Sequence, residues 1–228
     1  CAIYCINSTL NVRGSKFTRN LGNTSGAAIG ITNGGADINT SDFIGNNANF
    51  IGGAIFNNKG NVRVAGSSFK NNTVPSFGGA IFNNGTFSVS SSNFSNNTAK
   101  DGGAIVNYLG AVLNVTNSNF TKNSVSDGGG AIFTQDKLTI SGSIFTNNNG
   151  GKGGGALYMD NNAVVSVTGS TFTGNIVSSK GGAIRNLDGS LTVTTSNFIN
   201  NTASRNGGAV LLANTNQKIG RKFKCFIE

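Results

Sequence analysis

The most regular feature of the chain is an alternation of apolar and polar residues in short segments. Examples are the segments Leu113–Thr116 and Leu191–Thr194. A period of two is typical of a β-strand that buries one face and exposes the other. Between successive segments comes a Gly-Gly-Ala sequence followed by Ile, Leu or Val. The pattern predicts short strands joined by tight bends, with glycine where the backbone must bend sharply.

These segments recur as one repeat of 25 to 27 residues. Each repeat has a Phe, with a Ser two residues before it and an Asn three residues after it. The eight Phe residues are Phe17, Phe43, Phe69, Phe94, Phe120, Phe145, Phe172 and Phe198. The Ala residues of the second motif are Ala54, Ala80, Ala104, Ala131, Ala156, Ala183 and Ala209. Such regularity indicates an architecture in which each unit stacks on the next.

A unit of this length has room for about three short strands and none for a helix. Stacking lets each unit bury an apolar face that it cannot bury alone, and like residues then form columns. The sequence predicts an all-β parallel β-helix of about eight turns, roughly 38 Å long. We expect the Phe and Ser columns inside the coil and the Asn column at a corner, in the left-handed region of backbone space. The array is placed at residues 1–212, and residues 213–228 are expected to be a basic irregular tail or a degenerate last turn.

Composition narrows the classes of function. The 228 residues include 34 Gly, one Pro and no His, which excludes collagen and any triad or zinc site that needs imidazole. Lys and Arg number 17 against 8 Asp and Glu, so the formal net charge is +9. Much of that charge is spread over the turns, so we expect no specific nucleic-acid partner.

Two motifs carry a resemblance to a known family: Gly-Gly-Ala-Ile, as at residues 52–55, and Phe-x-x-Asn, as at residues 94–97. They resemble the repeats of the polymorphic outer membrane proteins of chlamydiae. The Asn- and Thr-rich version here is similar to the adhesin-like surface proteins of methanogenic archaea. The resemblance covers residues 2–212. It implies a right-handed parallel β-helix, located extracellularly at the cell surface or outer envelope, that acts in adhesion.

The resemblance also sets the expected partners. It implies a structural or binding segment and not an enzyme, without a cofactor, attached to host or neighbouring cell surfaces through glycans or proteins. The chain starts at Cys1, within a repeat, so we expect a fragment of a longer protein that meets a membrane only through regions missing from it. Cys1 and Cys5 lie in one strand and Cys225 lies at the other end of the rod, so no disulfide is expected.

The alternative function is a polysaccharide-active or carbohydrate-binding β-helix. Catalysis or calcium binding there would need clustered carboxylates. Asp136, Asp160 and Asp188 follow the Ala column by four or five residues in consecutive turns, and stacking within about 5 Å would make them a candidate metal site. Asn58 and Asn84 occupy equivalent positions in other turns, which favours an ordinary role in a turn.

An aromatic stripe is the first candidate for ligand contact. It stands two positions after the Ala column, where Arg185 also occurs, and we therefore expect it to point outward. With the opposite phase of alternation the same column would belong to the core. Its members are Phe56, Phe82, Phe133 and Tyr158.

Two further surface patterns are candidates. Lys100, Lys152, Lys180 and Arg205 form a basic edge, interrupted by Asp127, that suits an anionic partner such as a surface polysaccharide. Ser, Thr and Asn side chains in register between residues 88 and 194 form a hydroxyl-rich face, which suits ice or glycan binding or simple solvation.

Overall fold

The computed structural model describes residues 1–213, 218–219 and 224–226. Every regular element in these residues is a β-strand, and the paired strands run parallel. The strands stack into a β-solenoid of about eight turns with a spacing near 26 residues. The all-β fold predicted from the repeat is confirmed.

Each turn contributes strands to three faces and one short edge. The Ile face follows the Gly-Gly-Ala bend and comprises β1 (Ile3–Ile6), β5 (Ile29–Thr32), β9 (Ile55–Ala65), β11 (Ile81–Ser90), β14 (Ile105–Asn107), β18 (Ile132–Thr134), β21 (Leu157–Met159), β25 (Ile184–Asn186) and β29 (Val210–Leu212). The Val face comprises the second halves of β9 and β11 with β2 (Thr9–Arg13), β6 (Gly35–Asn39), β15 (Val112–Thr116), β19 (Lys137–Ser141), β22 (Val164–Thr168), β26 (Ser190–Thr194) and β30 (Lys218–Ile219).

The Phe face is a separate nine-stranded sheet. It comprises β3 (Lys16–Thr18), β7 (Asp42–Ile44), β10 (Ser68–Lys70), β12 (Asn93–Ser95), β16 (Asn119–Thr121), β20 (Ile144–Thr146), β23 (Thr171–Thr173), β27 (Asn197–Ile199) and β31 (Lys224–Phe226). The short edge lies between the Phe face and the next Gly-Gly-Ala bend. Its strands are β4 (Leu21–Gly22), β8 (Asn47–Ala48), β13 (Thr98–Asp101), β17 (Ser124–Gly128), β24 (Ile176–Val177) and β28 (Thr202–Ala203).

The inner core is the set of apolar columns inside the coil. Each Phe of the repeat lies directly above the next, with ring centroids 4.6 to 4.9 Å apart and ring planes within 2 to 5° of parallel. Ile, Val and Leu from the other two faces complete the filling. Each central turn therefore buries the same side chains as its neighbours, which is what a stacked repeat requires.

The Ser and Asn columns are buried in the central turns and hydrogen-bonded along the rod. The hydroxyl of Ser67 donates to the carbonyl of Ala65 (3.0 Å) and accepts from the amide of Ser41 (3.1 Å). The side-chain amide of Asn72 donates to the Phe43 carbonyl and to Oδ1 of Asn97, both at 3.0 Å. These ladders join successive turns and, in the part of the chain that the structure describes, leave no buried side-chain amide of Asn unpaired, which is why such polar residues are tolerated inside the coil.

The expectation that the column Asn adopts the left-handed conformation is wrong. The positive φ falls on the residue just before it, as at Asn71 (56°) and Asn96 (54°). A positive φ also occurs at the residue before each column Ser, for example Ser91 (47°), and at the first Gly of the Gly-Gly-Ala bend, for example Gly52 (62°). Three such residues in a turn make its three corners, and the column Asn keeps a backbone conformation that aims its amide along the ladder.

The predicted tail at 213–228 lies largely outside the described residues. Of it, β30 pairs with β26 and β31 with β27, in parallel. Cys1 is exposed, Cys5 is buried, and both are free. No helix among the described residues is long and apolar enough to cross a membrane.

Candidate functional site

A second apolar cluster lies outside the coil, where the short edge meets the Ile face. This outer cluster consists of Ile51, Phe82, Val106 and Phe133, with Phe56, Phe77 and Tyr158 packed against it. Neighbouring residues Ile55 and Ile81 belong to the inner core. The predicted aromatic stripe therefore does leave the interior, as alternation along a strand requires.

The stripe is not an open platform, however. Phe82 and Phe133 are only 6% and 7% exposed, whereas Phe56 and Tyr158 are half-buried. The Gly-Gly bend brings the residue that precedes it, Ile51 or Phe77, into contact with the stripe. The four stripe residues thus pack mainly against the protein itself, and the exposed aromatic surface nearby is Tyr108, whose ring lies 5.5 Å from that of Phe82.

Towards the last turns the outer cluster becomes polar, because the residue before the bend becomes glycine. Gly128 and Gly153 occupy the positions that Ile51 and Phe77 hold in earlier turns. A Cβ added at Gly128 would collide with the Tyr158 ring, and one added at Gly153 would lie 2.7 Å from Nη1 of Arg185. The missing side chains make room for Tyr158 and Arg185 to fold back onto the short edge.

Arg185 is fixed by two contacts. Its guanidinium carbon lies 5.2 Å from the centre of the Tyr158 ring, within range of a cation–π interaction. Its Nη1 donates to the carbonyl of Lys152 at 3.3 Å. Its Nε is buried and has no hydrogen-bond partner among the described residues. The side chain is held in place, and within the described residues only its Nη1 donates a hydrogen bond.

Asp101 is the most buried carboxylate of the described chain, at 8% exposed. Its Oδ1 accepts from the amide of Gly128 at 2.9 Å. A register shift between β13 and β17 brings Asp127 into the same region. Burial raises the pKa of Asp101, and so does the charge of Asp127, while the Gly128 amide and Lys100 oppose the rise.

The pKa of Tyr158 is also raised, mainly by burial. Arg185 acts in the opposite direction, and the carboxylates of Asp160, Asp127 and Asp101 add to the rise. Sequence reasoning missed this grouping of Asp101, Tyr158 and Arg185, since it arises between turns. The available signal was the pair of glycines at 128 and 153, where earlier turns carry bulky residues.

The candidate metal site is not assembled. Among the described residues no group of three His, Cys, Asp or Glu side chains is placed to hold a metal ion. The amide of Asp160 donates to the carbonyl of Thr134 in the preceding turn. Asp160 is therefore aligned with the residue just before Asp136 and not with Asp136 itself. The oxygens of Asp136 accept from the amides of Gly110 and Lys137, both at 2.8 Å. Asp136 therefore caps a loop, and Asp160 and Asp188 do not stack on it.

The basic edge and the hydroxyl-rich face are both present. Lys100, Lys152 and Arg205 are exposed on the short edge, and Lys180 is half-buried there. On the Val face, outward residues pair in register, as in Ser141 with Thr168 and Thr168 with Thr194. Thr168 and Thr194 share a hydrogen bond between their hydroxyls, 3.0 Å long. Both surfaces are thus available for contact.

A known protein family matches the chain at the same repeat. The model of the Chlamydia polymorphic membrane protein repeat matches residues 66–84, 91–108, 117–135, 169–186 and 195–213. No curated protein and no solved structure matches the chain. The matched family is associated with the outer membrane and cell surface, and its members are generally not enzymes.

Proposed function

We propose, because five segments of the chain match the polymorphic membrane protein repeat, that this protein is a surface-exposed adhesive rod. The observation that carries the proposal is that the shared positions of the repeat all serve stacking. Phe, Ser, Asn and Ala of each repeat lie inside the coil or at its corners. The repeat therefore specifies a stiff support, and binding falls to the residues that vary on its outside.

The site supports adhesion in which the ligand is bound but not chemically changed. Among the described residues no three carboxylates are placed to hold a metal ion. Asp101, the carboxylate near Asp127, is buried and accepts a hydrogen bond from the Gly128 amide, and the chain has no His. Glycoside cleavage by the usual route needs a pair of carboxyl groups on either side of the scissile bond. The polar end of the outer cluster instead offers fixed donors and an aromatic ring, a combination suited to holding a ligand.

The test is an attachment assay with the intact chain coupled to beads. Beads that carry the chain are expected to attach to cells more than albumin-coated beads do, and the attachment should persist with a metal chelator. The same preparation should release no reducing ends or unsaturated sugars from acidic polysaccharides. Attachment no greater than that of albumin, or release of a sugar product, would contradict the proposal.

A further inference from the structure

Four cations lie together in the last turns of the short edge. We name this basic patch by its residues, Lys152, Lys180, Arg185 and Arg205. Lys180 pairs with Gly153, next to Lys152, across adjacent turns. Arg205 donates its amide to the carbonyl of Ser179 (2.9 Å), which places it one turn beyond Lys180. The patch therefore spans three consecutive turns, roughly 10 Å along the rod.

No carboxylate interrupts the patch on the short edge itself. Residues 149–156, 176–183 and 202–209, which form that edge in the three turns, contain no Asp or Glu. Asp101 and Asp127 belong to the two preceding turns, and Asp101 is already bonded to Gly128. The basic residues of the short edge are therefore concentrated in its last three turns, where an anion is favoured.

Arg185 gives the patch a fixed element. Its contacts with the Tyr158 ring and the Lys152 carbonyl hold the guanidinium in one orientation. Nε is buried and Nη1 already donates to Lys152, so the remaining N–H groups of Nη1 and Nη2 are the ones that can meet a carboxylate. A side chain already held in place loses little entropy on binding. The flexible Lys152 and the exposed Arg205 extend the positive charge on either side.

Backbone groups in the glycine-rich segment 150–155 do not form an anion cradle. The amides of Lys152 and Gly153 both donate to the Asp127 carbonyl, and that of Gly154 donates to the Lys180 carbonyl. Because the amides are used within the solenoid, recognition falls to side chains spaced along the rod. That arrangement favours a ligand with charges at intervals over a single phosphate.

We propose that the basic patch binds a linear acidic polysaccharide whose carboxylates succeed one another along the chain. The rise over two turns is about 10 Å, which is comparable to the length of a disaccharide, so consecutive uronate units can meet successive cations. Several weak contacts on one polymer add to a useful affinity. This proposal names a ligand for the adhesive rod, but the binding it describes is measurable without cells.

Polygalacturonate is the probe, and its methyl ester is the control because it has the same sugar without the charge. Calorimetric titration of the intact chain should show binding to polygalacturonate that weakens as salt is raised. The methyl ester should not bind measurably. Equal binding to the ester, no binding to either polymer, or equal binding to double-stranded DNA would overturn the proposal, the last because it would indicate a general polyanion surface.

Two triple variants of equal charge locate the site. Lys152→Gln with Lys180→Gln and Arg205→Gln should lower the affinity by about tenfold or more. The control, Lys16→Gln with Lys70→Gln and Lys122→Gln, removes three exposed cations from the region of the Phe face and should lower it far less. Circular dichroism and thermal midpoints check that both variants stay folded. Equal losses would mean that net charge alone drives binding, and an unchanged patch variant would remove the site.

The two proposals fail separately. If the beads attach to cells but the chain does not bind polygalacturonate, the adhesive rod stands and the acidic polysaccharide is wrong. If the chain binds polygalacturonate through the patch but the beads do not attach, the patch stands and the role in cell attachment is wrong.

Discussion

The inner core and the outer cluster use the same kinds of side chain with different regularity. In the inner core each Phe between the two ends of the column meets another Phe above and below, and nearly every turn repeats the pattern. In the outer cluster the same column holds Phe56, Phe82, Val106, Phe133, Tyr158 and Arg185 in succession. A closed interior tolerates very few side chains at each position, whereas a cluster with one side open to solvent tolerates many. The outer cluster is therefore where this rod can differ from others of its kind.

The largest expected effect comes from matched Phe deletions. Phe120→Ala should lower the free energy of unfolding by about 3–5 kcal/mol, because it leaves a cavity between two stacked rings that cannot close. Phe133→Ala, in the outer cluster, should lower it by less, about 2–3 kcal/mol, since the half-buried Tyr158 ring, 5.4 Å away, can move into the space. Urea denaturation measures both. Equal losses would mean that the outer cluster is as rigidly packed as the inner core.

Matched glycine substitutions sharpen the comparison. A Cβ at Gly79 would collide with the carbonyl of Gly103 and lie 2.8 Å from backbone atoms of Thr98. Gly79→Ala must therefore shift backbone in the adjacent turn and should cost about 2–3 kcal/mol. The atoms nearest to a Cβ at Gly128 all belong to the Tyr158 ring. That ring can rotate towards solvent, so Gly128→Ala should cost about 1 kcal/mol or less.

A double variant isolates the clash between the new Cβ of Gly128→Ala and the Tyr158 ring. In a Tyr158→Ala background, Gly128→Ala should cost almost nothing, because the ring that it displaces is gone. Thermal and urea denaturation of the two single variants and the double variant give the coupling. An undiminished cost in the double variant would show that Gly128 is needed for its backbone and not for the space above it.

The smallest expected effect is a pH dependence at Asp101. Its pKa is raised above the ordinary 3.8 by burial and by Asp127, so the folded state keeps this proton to a higher pH than the unfolded state does. The stability that Asp101 contributes is therefore full at low pH and falls as the pH rises from about 3.8 through the folded pKa.

Asp101→Asn removes that dependence and keeps an oxygen acceptor for the Gly128 amide. Relative to the variant, the wild-type chain should lose stability as the pH is raised from 3 to 7, in urea denaturation at each pH. Parallel curves for the two proteins would contradict the assignment of a raised pKa to Asp101.

Sequence alone determined the solenoid and the content of its interior. The period near 26, the Phe column and the paired glycines each have one physical explanation, because a repeat that stacks in register must place like residues on like residues. It also indicated the Ser and Asn ladders, although not that the residue before each Asn carries the positive φ. A second ladder, in which Asn57 donates to Asn83 and Asn83 to Asn107, escaped notice, because later turns replace its Asn with Thr134 and Met159.

Only the tertiary structure decided what happens outside the coil. The alternation of residues along the strand predicted that the aromatic stripe faces outward. It did not predict that Ile51 and Phe77 from the short edge pack against the stripe. The position of Arg185 over Tyr158 followed from glycines in neighbouring turns. Such contacts join residues that are a full turn or more apart and vary from turn to turn, so no periodic pattern in the sequence records them.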